Sequence, residues 1–423
     1  MDRIIFLIGA PRSGTTLLAR MLGAHSMIYG RAEPHLITPI AHLGYYANVQ
    51  KAPYDPFNAE QAIREFVTDL PRGEADYLDA LRAYTDTLYE RMLSTAPGKR
   101  FFLDKTPAYA LVLPFLVKLY PDAKYIVLTR HPLAVLSSWV ESFFDGDYQV
   151  ALNHNPLLAR YVPALARILR ERPVPFVHVR YEELVREPEA NFRRICDHLG
   201  IPFEAAAIEY GEQGDAPKGL GDPTGVAQHN RPVTSSISKW AAEIAAQPEL
   251  LALVGRLIEE LDPADLETLG YPREKMVAQL EADGWTHLPN RRTELAVDGV
   301  RLEVMGMDDP HIERHDLRVA PRRDPAALGL AVVHSPDPAP ELAALGYDLI
   351  LSGHTHGGQV RLPVVGAIVT NSQMPTRLCR GLSRLGSSIL HISPGLGTSK
   401  FAPFRFLCRP EATILELVPA PVH

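Results

Sequence analysis

The sequence predicts an α/β fold with a doubly wound parallel sheet and helices on both faces, followed by a second, smaller α/β part. A continuous apolar run from Ile4 to Ile8 leads into a glycine loop and then a helical pattern, which is typical of a buried parallel strand. Two more strands of this kind, Lys124 to Thr129 and Phe176 to Val179, are also each followed by a helix. After Leu295 the pattern changes to short strands separated by turns, which indicates the second part.

The composition is that of an ordinary globular protein. Of the 423 residues, 46% are hydrophobic and 22% are charged, and the net charge of −7 argues against broad nucleic-acid binding. The three cysteines lack paired spacing, so no disulfide framework is expected. Because no apolar stretch suits a signal peptide or a membrane span, we expect a cytoplasmic protein.

The change in pattern also predicts the domain organisation. We expect a first domain over residues 1–272, a join over 273–283 and a second domain over 284–423. In the first domain, Gly211 to Ser236 is predicted to be a mobile loop, and Ser238 to Leu269 is predicted to be helical. The strands predicted for the second domain are Leu302–Met305, Gly329–Val333, Asp348–Ser352, Ser388–Ile392 and Thr413–Leu417.

The loop after the first strand has the features of a phosphate-binding loop. In the segment GAPRSGTT, four residues separate Gly9 from Gly14, as in the P-loop of nucleoside triphosphatases. Where that loop carries a lysine this chain has Thr15, so the available cation is Arg12, and a triphosphate-binding kinase is disfavoured. Loop N–H groups and a helix amino terminus bind phosphate in such folds. The candidate phosphate ligands are Arg12, Ser13, Gly14, Thr15 and Thr16.

These residues resemble the sulfotransferases that use 3′-phosphoadenosine 5′-phosphosulfate (PAPS) as donor. The resemblance runs from about Ile4 to Pro272 and is closest to the branch that includes tyrosylprotein and bacterial lipid or carbohydrate sulfotransferases. It implies that the glycine loop holds the 5′-phosphosulfate, while Arg130 and Ser138 hold the 3′-phosphate. The further nucleotide contacts that it implies are Tyr181, Ser238 and Lys239.

Sulfuryl transfer requires a base for the acceptor hydroxyl and cations for the transferred charge. The resemblance points to Glu33, in the segment RAEPH, as the base, and His35 is the alternative. Lys105, in the segment LDKTP, is expected to stabilise the transferred group together with Arg12. We expect the acceptor to bind to a helical insertion between residues 45 and 97. A small alcohol or phenol, a lipid, a glycan and a tyrosyl peptide all remain open as acceptors.

The second domain carries the motif SGHTHGGQ at residues 352–359, directly after a predicted strand. His354 and His356 lie in this motif, and His334 follows the preceding strand, an arrangement used in metal sites. The segment from about Gly284 to Pro419 resembles the carboxyl-terminal half of a calcineurin-like metallophosphoesterase.

That family also needs carboxylates from the first half of its fold, where this chain has a different sequence. We therefore expect no phosphoesterase activity from the chain alone, since two bridged metal ions need carboxylates between them. The three histidines hold either a single zinc or manganese ion or no metal. A half-sheet of this kind exposes apolar strands, which a homo-oligomer would cover. The alternative functions are a metal-dependent phosphoesterase completed by another chain and a non-enzymatic nucleotide-binding protein.

Overall fold

The structure, a computed structural model, describes most of the chain: residues 3–31, 33–49, 51–211, 231–282, 284–310, 313–363, 365–396 and 404–418. Contacts between residues divide the chain into two compact units, 1–285 and 286–423.

The first unit alternates strands with helices. Its described strands are β1 (Ile4–Gly9), β2 (Ile28–Arg31), β3 (Phe101–Lys105), β4 (Lys124–Thr129) and β5 (Phe176–Arg180). Its described α-helices are α1 (Thr15–Ala24), α2 (Ile37–Ala41), α3 (Pro56–Thr68), α4 (Glu74–Leu93), α5 (Leu113–Leu119), α6 (Pro132–Phe143), α7 (Tyr148–His154), α8 (Leu157–Glu171), α9 (Tyr181–Arg186), α10 (Pro188–Leu199), α11 (Lys239–Ala245), α12 (Pro248–Glu260), α13 (Pro263–Leu269) and α14 (Arg273–Ala282). A 3₁₀ helix, Pro107–Val112, lies between β3 and α5.

The described strands of this unit form one parallel sheet in the order β2-β3-β1-β4-β5. Strand β1 is buried on both faces, because Ile4 and Phe6 belong to one apolar cluster whereas Ile5 and Leu7 belong to another. Helices therefore cover both faces, which confirms the predicted fold class. The strand order reverses beside β1, and the carboxyl ends of strands at such a point are the usual place for a ligand.

The second unit contains a mixed sheet. Its described strands pair in the order β12-β13-β9-β8-β7-β6, and β10 and β11 form a separate pair. The bounds are β6 (Arg291–Val297), β7 (Val300–Met307), β8 (Leu328–Val333), β9 (Leu349–Ser352), β10 (Arg361–Leu362), β11 (Gly366–Ala367), β12 (Gly381–Leu385) and β13 (Ser388–Ile392), with helix α15 (Ala339–Ala344) between β8 and β9.

One face of this sheet packs into an apolar cluster that includes Met305, Ala331 and Ile350. On β8 and β13, the two strands that flank β9, Val332 is 43% exposed and Ile389 is 41% exposed. Apolar strand residues are therefore exposed, as expected for a half-sheet, and the homo-oligomer stays a prediction.

The strand predicted at Thr413–Leu417 is wrong: those residues have no regular secondary structure and join neither sheet, and Ile414 is 95% exposed. Most of the loop predicted at Gly211 to Ser236 lies outside the described residues. Among the described helices, none is long and apolar enough to span a membrane.

Candidate active site

The phosphate-type loop joins β1 to α1 at the carboxyl edge of the sheet. Arg12 and Gly14 both have a positive φ, 65° and 94°. The buried Ser13 hydroxyl donates to the Ala10 carbonyl oxygen at 2.7 Å, which holds the turn closed. A Cβ on Gly14 would lie 2.3 Å from Cδ2 of Tyr181. The loop backbone thus lies directly against the Tyr181 ring, and only glycine fits there.

Arg130, immediately after β4, connects this loop to two distant segments. Its Nη1 donates to the Arg12 carbonyl oxygen at 2.9 Å, and its Nη2 donates to the Ser236 carbonyl oxygen at 2.8 Å. Its guanidinium carbon lies 4.4 Å from the centroid of the Tyr181 ring, and the Tyr181 hydroxyl is 2.6 Å from Ser236 Oγ. Burial lowers the pKa of Arg130 from its usual value.

Ser138, on α6, also reaches the loop. The Arg12 Nε donates to Ser138 Oγ at 3.2 Å, although the two residues are 126 positions apart in the chain. The pairing of β1 with β4 explains this contact, because parallel neighbours place their following loops at the same edge. The loop, Arg130 and Ser138 are therefore brought together.

Glu33 and Lys105 form a second cluster beside the start of α1. The Lys105 Nζ donates to Glu33 Oε1 at 2.6 Å and lies 3.4 Å from Thr16 Oγ1. The Lys105 side chain is only 5% exposed and that of Glu33 is 16% exposed, so solvent screens this pair weakly. His35 Nε2 lies 3.5 Å from the other oxygen of Glu33, Oε2.

One cavity of about 650 Å³ is lined by the loop, Arg130 and Glu33, whereas Lys105 contacts Glu33 without belonging to the described lining. This volume is within the range of roughly 300–1,000 Å³ for small-molecule sites. Its cationic lining residues are Arg12, Arg20, Arg130, Arg231 and Lys239, and its acidic ones are Glu33 and Glu141. The excess of cations suits an anionic ligand.

The predicted Ser238 and Lys239 differ in position. Lys239 lines the cavity and donates to Glu141 Oε1 at 2.7 Å, and this hydrogen bond raises the pKa of the lysine. Ser238 is exposed and is absent from the described lining, whereas Ser235 and Ser236 belong to it.

Sequence reasoning missed two groups at this cavity. The sequence predicts Ser236 only as the end of a loop, and its contacts with Arg130 and Tyr181 depend on chain segments that only folding brings together. Tyr161, on α8, lines the cavity near Glu33, and burial raises its pKa to about 12. No short motif marks either residue.

The histidines of the second unit come together only in part. His354 Nδ1 and His334 Nε2 are 2.9 Å apart and share a hydrogen bond. Within the described residues, no group of three or more His, Cys, Asp or Glu side chains is arranged to hold a metal ion. His334, His354 and His356 therefore do not form a three-ligand set there.

Comparison with known proteins agrees with the geometry of the first unit. Residues 4–205 match the sequence profile of the sulfotransferase family. This region of the chain is therefore similar to sulfotransferases. Nodulation protein NoeE of Sinorhizobium fredii is 33% identical over 229 residues, which are 49% of this chain and 52% of that protein. Protein-tyrosine sulfotransferase 1 of Danio rerio is 27% identical over 260 residues, 57% of this chain and 66% of that protein.

The carboxyl-terminal region is similar to a different family. The uncharacterized metallophosphoesterase YkuE of Bacillus subtilis is 32% identical over 150 residues, 35% of this chain and 52% of that protein. Both predicted resemblances are thus confirmed. The chain spans about half the length of NoeE and of YkuE.

Proposed function

We propose that the sulfotransferase domain transfers a sulfuryl group from PAPS to a hydroxyl or phenol of an acceptor. The observation that supports this most is that the glycine loop, Arg130 and Glu33 line the same cavity, where Lys105 donates a hydrogen bond to Glu33. Binding groups for an anionic nucleotide and a carboxylate suited to proton transfer thereby face one space.

The donor end of the cavity suits a bisphosphorylated nucleotide. The loop and the amino terminus of α1 supply backbone N–H groups, and Arg12, Arg130 and Ser138 supply side-chain donors. The Nε of Arg130 is buried and has no hydrogen-bond partner among the described residues, so a donor group there is still available to an anion. These residues fit the nucleotide that the family resemblance implies.

The reaction itself assigns a role to each side chain. PAPS supplies a sulfuryl group whose sulfur accepts an in-line attack. Glu33 takes the proton of the acceptor hydroxyl while the new oxygen–sulfur bond forms and the bond from sulfur to the 5′-phosphate oxygen breaks, which leaves 3′,5′-adenosine bisphosphate. Arg12 and Lys105 stabilise the negative charge that moves onto the bridging oxygen.

The acceptor is a molecule with a free hydroxyl, whether a small alcohol or phenol, a lipid, a glycan or a tyrosyl peptide. The second unit is a phosphoesterase remnant in this proposal. The alternative is a phosphoesterase completed by another chain. Among the described residues, no cluster of three metal ligands supports it.

Calorimetric titration with 3′,5′-adenosine bisphosphate tests the donor site. Arg12→Ala and Arg130→Ala should each weaken binding about 10- to 100-fold, because each removes charge-assisted hydrogen bonds worth roughly 1.5–3 kcal/mol. Arg167→Ala, which removes an exposed arginine paired with Glu171 on α8, is the matched control and should bind like wild type. Unchanged affinity in both test variants would refute the donor site.

A substitution at Glu33 tests its role as the base. Glu33→Gln should bind the bisphosphate like wild type but lose transfer by roughly 10²- to 10⁴-fold, the range typical of a removed general base. His35→Gln is the comparison, since His35 is the alternative base. If the loss appears in His35→Gln and not in Glu33→Gln, the roles are reversed.

A further inference from the structure

Asp104 is a carboxylate buried one residue before Lys105. It lies on β3, where it pairs with Phe6 of β1 and Arg31 of β2, and it is 0% exposed. Because side chains alternate along a strand, Asp104 points to the face of the sheet opposite to that of Lys105. Asp104 therefore does not reach the cavity, and the proposed mechanism gives it no role.

Three hydroxyl groups converge on this carboxylate. The hydroxyls of Tyr89 and Tyr109 donate to Asp104 Oδ2 at 2.6 and 3.0 Å, and the Thr106 hydroxyl donates to Oδ1 at 2.8 Å. Burial nevertheless raises the pKa of Asp104 to about 6. A buried polar group of this kind is tolerated because it is hydrogen-bonded, and it fixes the segments that supply its partners.

Tyr109 extends this network to the segment that carries Glu33. Its hydroxyl accepts a hydrogen bond from the Ile37 backbone N–H at 3.2 Å. Ile37 is the first residue of α2, and the residue before it, Leu36, has no side chain that caps the helix. The Tyr109 hydroxyl thus takes the place of a capping side chain, and Glu33 lies four positions before Ile37.

We propose that Asp104 and Tyr109 are positioning residues that hold Glu33 against Lys105. The inference rests on the proposed function, since it takes Glu33 as the base of the transfer. Asp104 is adjacent to Lys105 in the chain, and Tyr109 connects Asp104 to the start of α2. The two sides of the Glu33–Lys105 contact are thereby anchored to a single buried carboxylate.

Tyr89 provides a matched control for Tyr109. Both tyrosines are almost fully buried and donate to the same oxygen of Asp104, but Tyr89 comes from α4, and no hydrogen bond joins its hydroxyl to the Glu33 segment among the described residues. Tyr109→Phe and Tyr89→Phe therefore each remove one hydroxyl group that donates a hydrogen bond to Asp104 Oδ2. A merely structural role predicts similar effects for the two variants.

The kinetic test compares these variants under saturating donor. Tyr109→Phe should lower kcat about 10- to 100-fold, the penalty expected when a reacting group is misplaced by about an ångström, while affinity for 3′,5′-adenosine bisphosphate stays at the wild-type value. Tyr89→Phe should keep the wild-type kcat despite a similar loss of thermal stability. Equal losses of kcat in the two variants would overturn the proposal.

Asp104 is tested by a conservative replacement. Asp104→Asn keeps an oxygen that accepts from the tyrosine hydroxyls, so it should retain more of the wild-type kcat than Asp104→Leu, which leaves three hydroxyls without an acceptor. If the leucine variant does not fold, the comparison of Tyr109→Phe with Tyr89→Phe still decides. Equal kcat in the asparagine and leucine variants contradicts a role for the acceptor oxygen.

A structural readout separates this proposal from the proposed function. Crystal structures should show the 2.6 Å contact of Lys105 Nζ with Glu33 Oε1 kept in Tyr89→Phe and lengthened beyond about 3.5 Å in Tyr109→Phe. If the wild type transfers no sulfuryl group to any acceptor, the proposed function fails, and these distances still decide whether Tyr109 holds Glu33. An unchanged contact in Tyr109→Phe overturns the positioning role.

Discussion

Gly14 shows how closely two parts of the candidate site approach each other. Its φ of 94° lies in the region that residues other than glycine rarely adopt, and the Tyr181 ring occupies the space that a Cβ would need. Tyr181 in turn stacks on Arg130. A change at this one position therefore disturbs the loop, the ring and the arginine together.

We predict that Gly14→Ala weakens binding of 3′,5′-adenosine bisphosphate and lowers Tm. The left-handed backbone alone costs an alanine about 1–2 kcal/mol, and the contact with Tyr181 adds to that cost. Gly98→Ala is the matched control, because Gly98 has a similar φ of 86° but nothing within 4 Å of its added Cβ. Calorimetry and thermal unfolding of both variants give the comparison, and similar losses in the two would mean that the Tyr181 contact is unimportant.

At the scale of elements, α6 is joined to α11 by an aromatic contact. His131, directly before α6, stacks on Trp240 of α11 with ring centroids 4.2 Å apart, and Tyr271 meets it edge-on. Its Nδ1 is buried and has no hydrogen-bond partner in the described part of the chain. Burial lowers the pKa of His131 to about 3. The histidine is therefore neutral in the folded protein.

This contact predicts a loss of stability in acid. The unfolded chain binds a proton at His131 below its ordinary pKa of about 6.5, whereas the folded chain does not. The stabilising contribution is present above pH 6.5 and decreases as the pH falls towards 3, by about 2 kcal/mol at pH 5. The His131→Phe variant should keep the stacking contact. Between pH 7 and pH 5 its free energy of unfolding, measured in urea, should fall by about 2 kcal/mol less than that of wild type. The same pH dependence in both proteins would contradict the assignment.

The elements differ in how far the sequence could predict them. Strands β1, β4 and β5 were predictable because each is a continuous apolar run before a loop and a helix. Strand β2, only four residues long and half-exposed, lies at the edge of the sheet and has no such pattern. The apolar Thr413–Leu417 resembles a strand, but a strand also needs a neighbour to pair with.

The site was predictable to the extent that its residues lie next to strands. The loop and Arg130 each follow a strand directly and Lys105 is the last residue of one, so the parallel sheet alone predicts that they share one edge. Ser236 and the Asp104–Tyr109 network were missed, because their roles depend on contacts between distant segments. An aspartate in an apolar strand has no pattern of its own to indicate the hydroxyls around it.

At the scale of the whole molecule, the chain joins a region similar to sulfotransferases to a region similar to a metallophosphoesterase. We predict that the full chain, supplied with Mn²⁺ or Zn²⁺, does not hydrolyse an aryl phosphate ester. The described histidines lack the carboxylates that bridge two metal ions in a hydrolytic centre. The assay compares wild type with His354→Ala, and robust turnover that this substitution abolishes would favour the alternative of a phosphoesterase.

The contact between Glu33 and Lys105 complicates the effect of any single substitution at either residue. Two opposite charges with little exposure compensate each other, so removing either one leaves the other uncompensated in a poorly hydrated place. The change in rate caused by each single substitution then combines the effect of the uncompensated charge with the loss of the chemical role. A double-mutant cycle, which includes the variant with both side chains made neutral, separates the two effects.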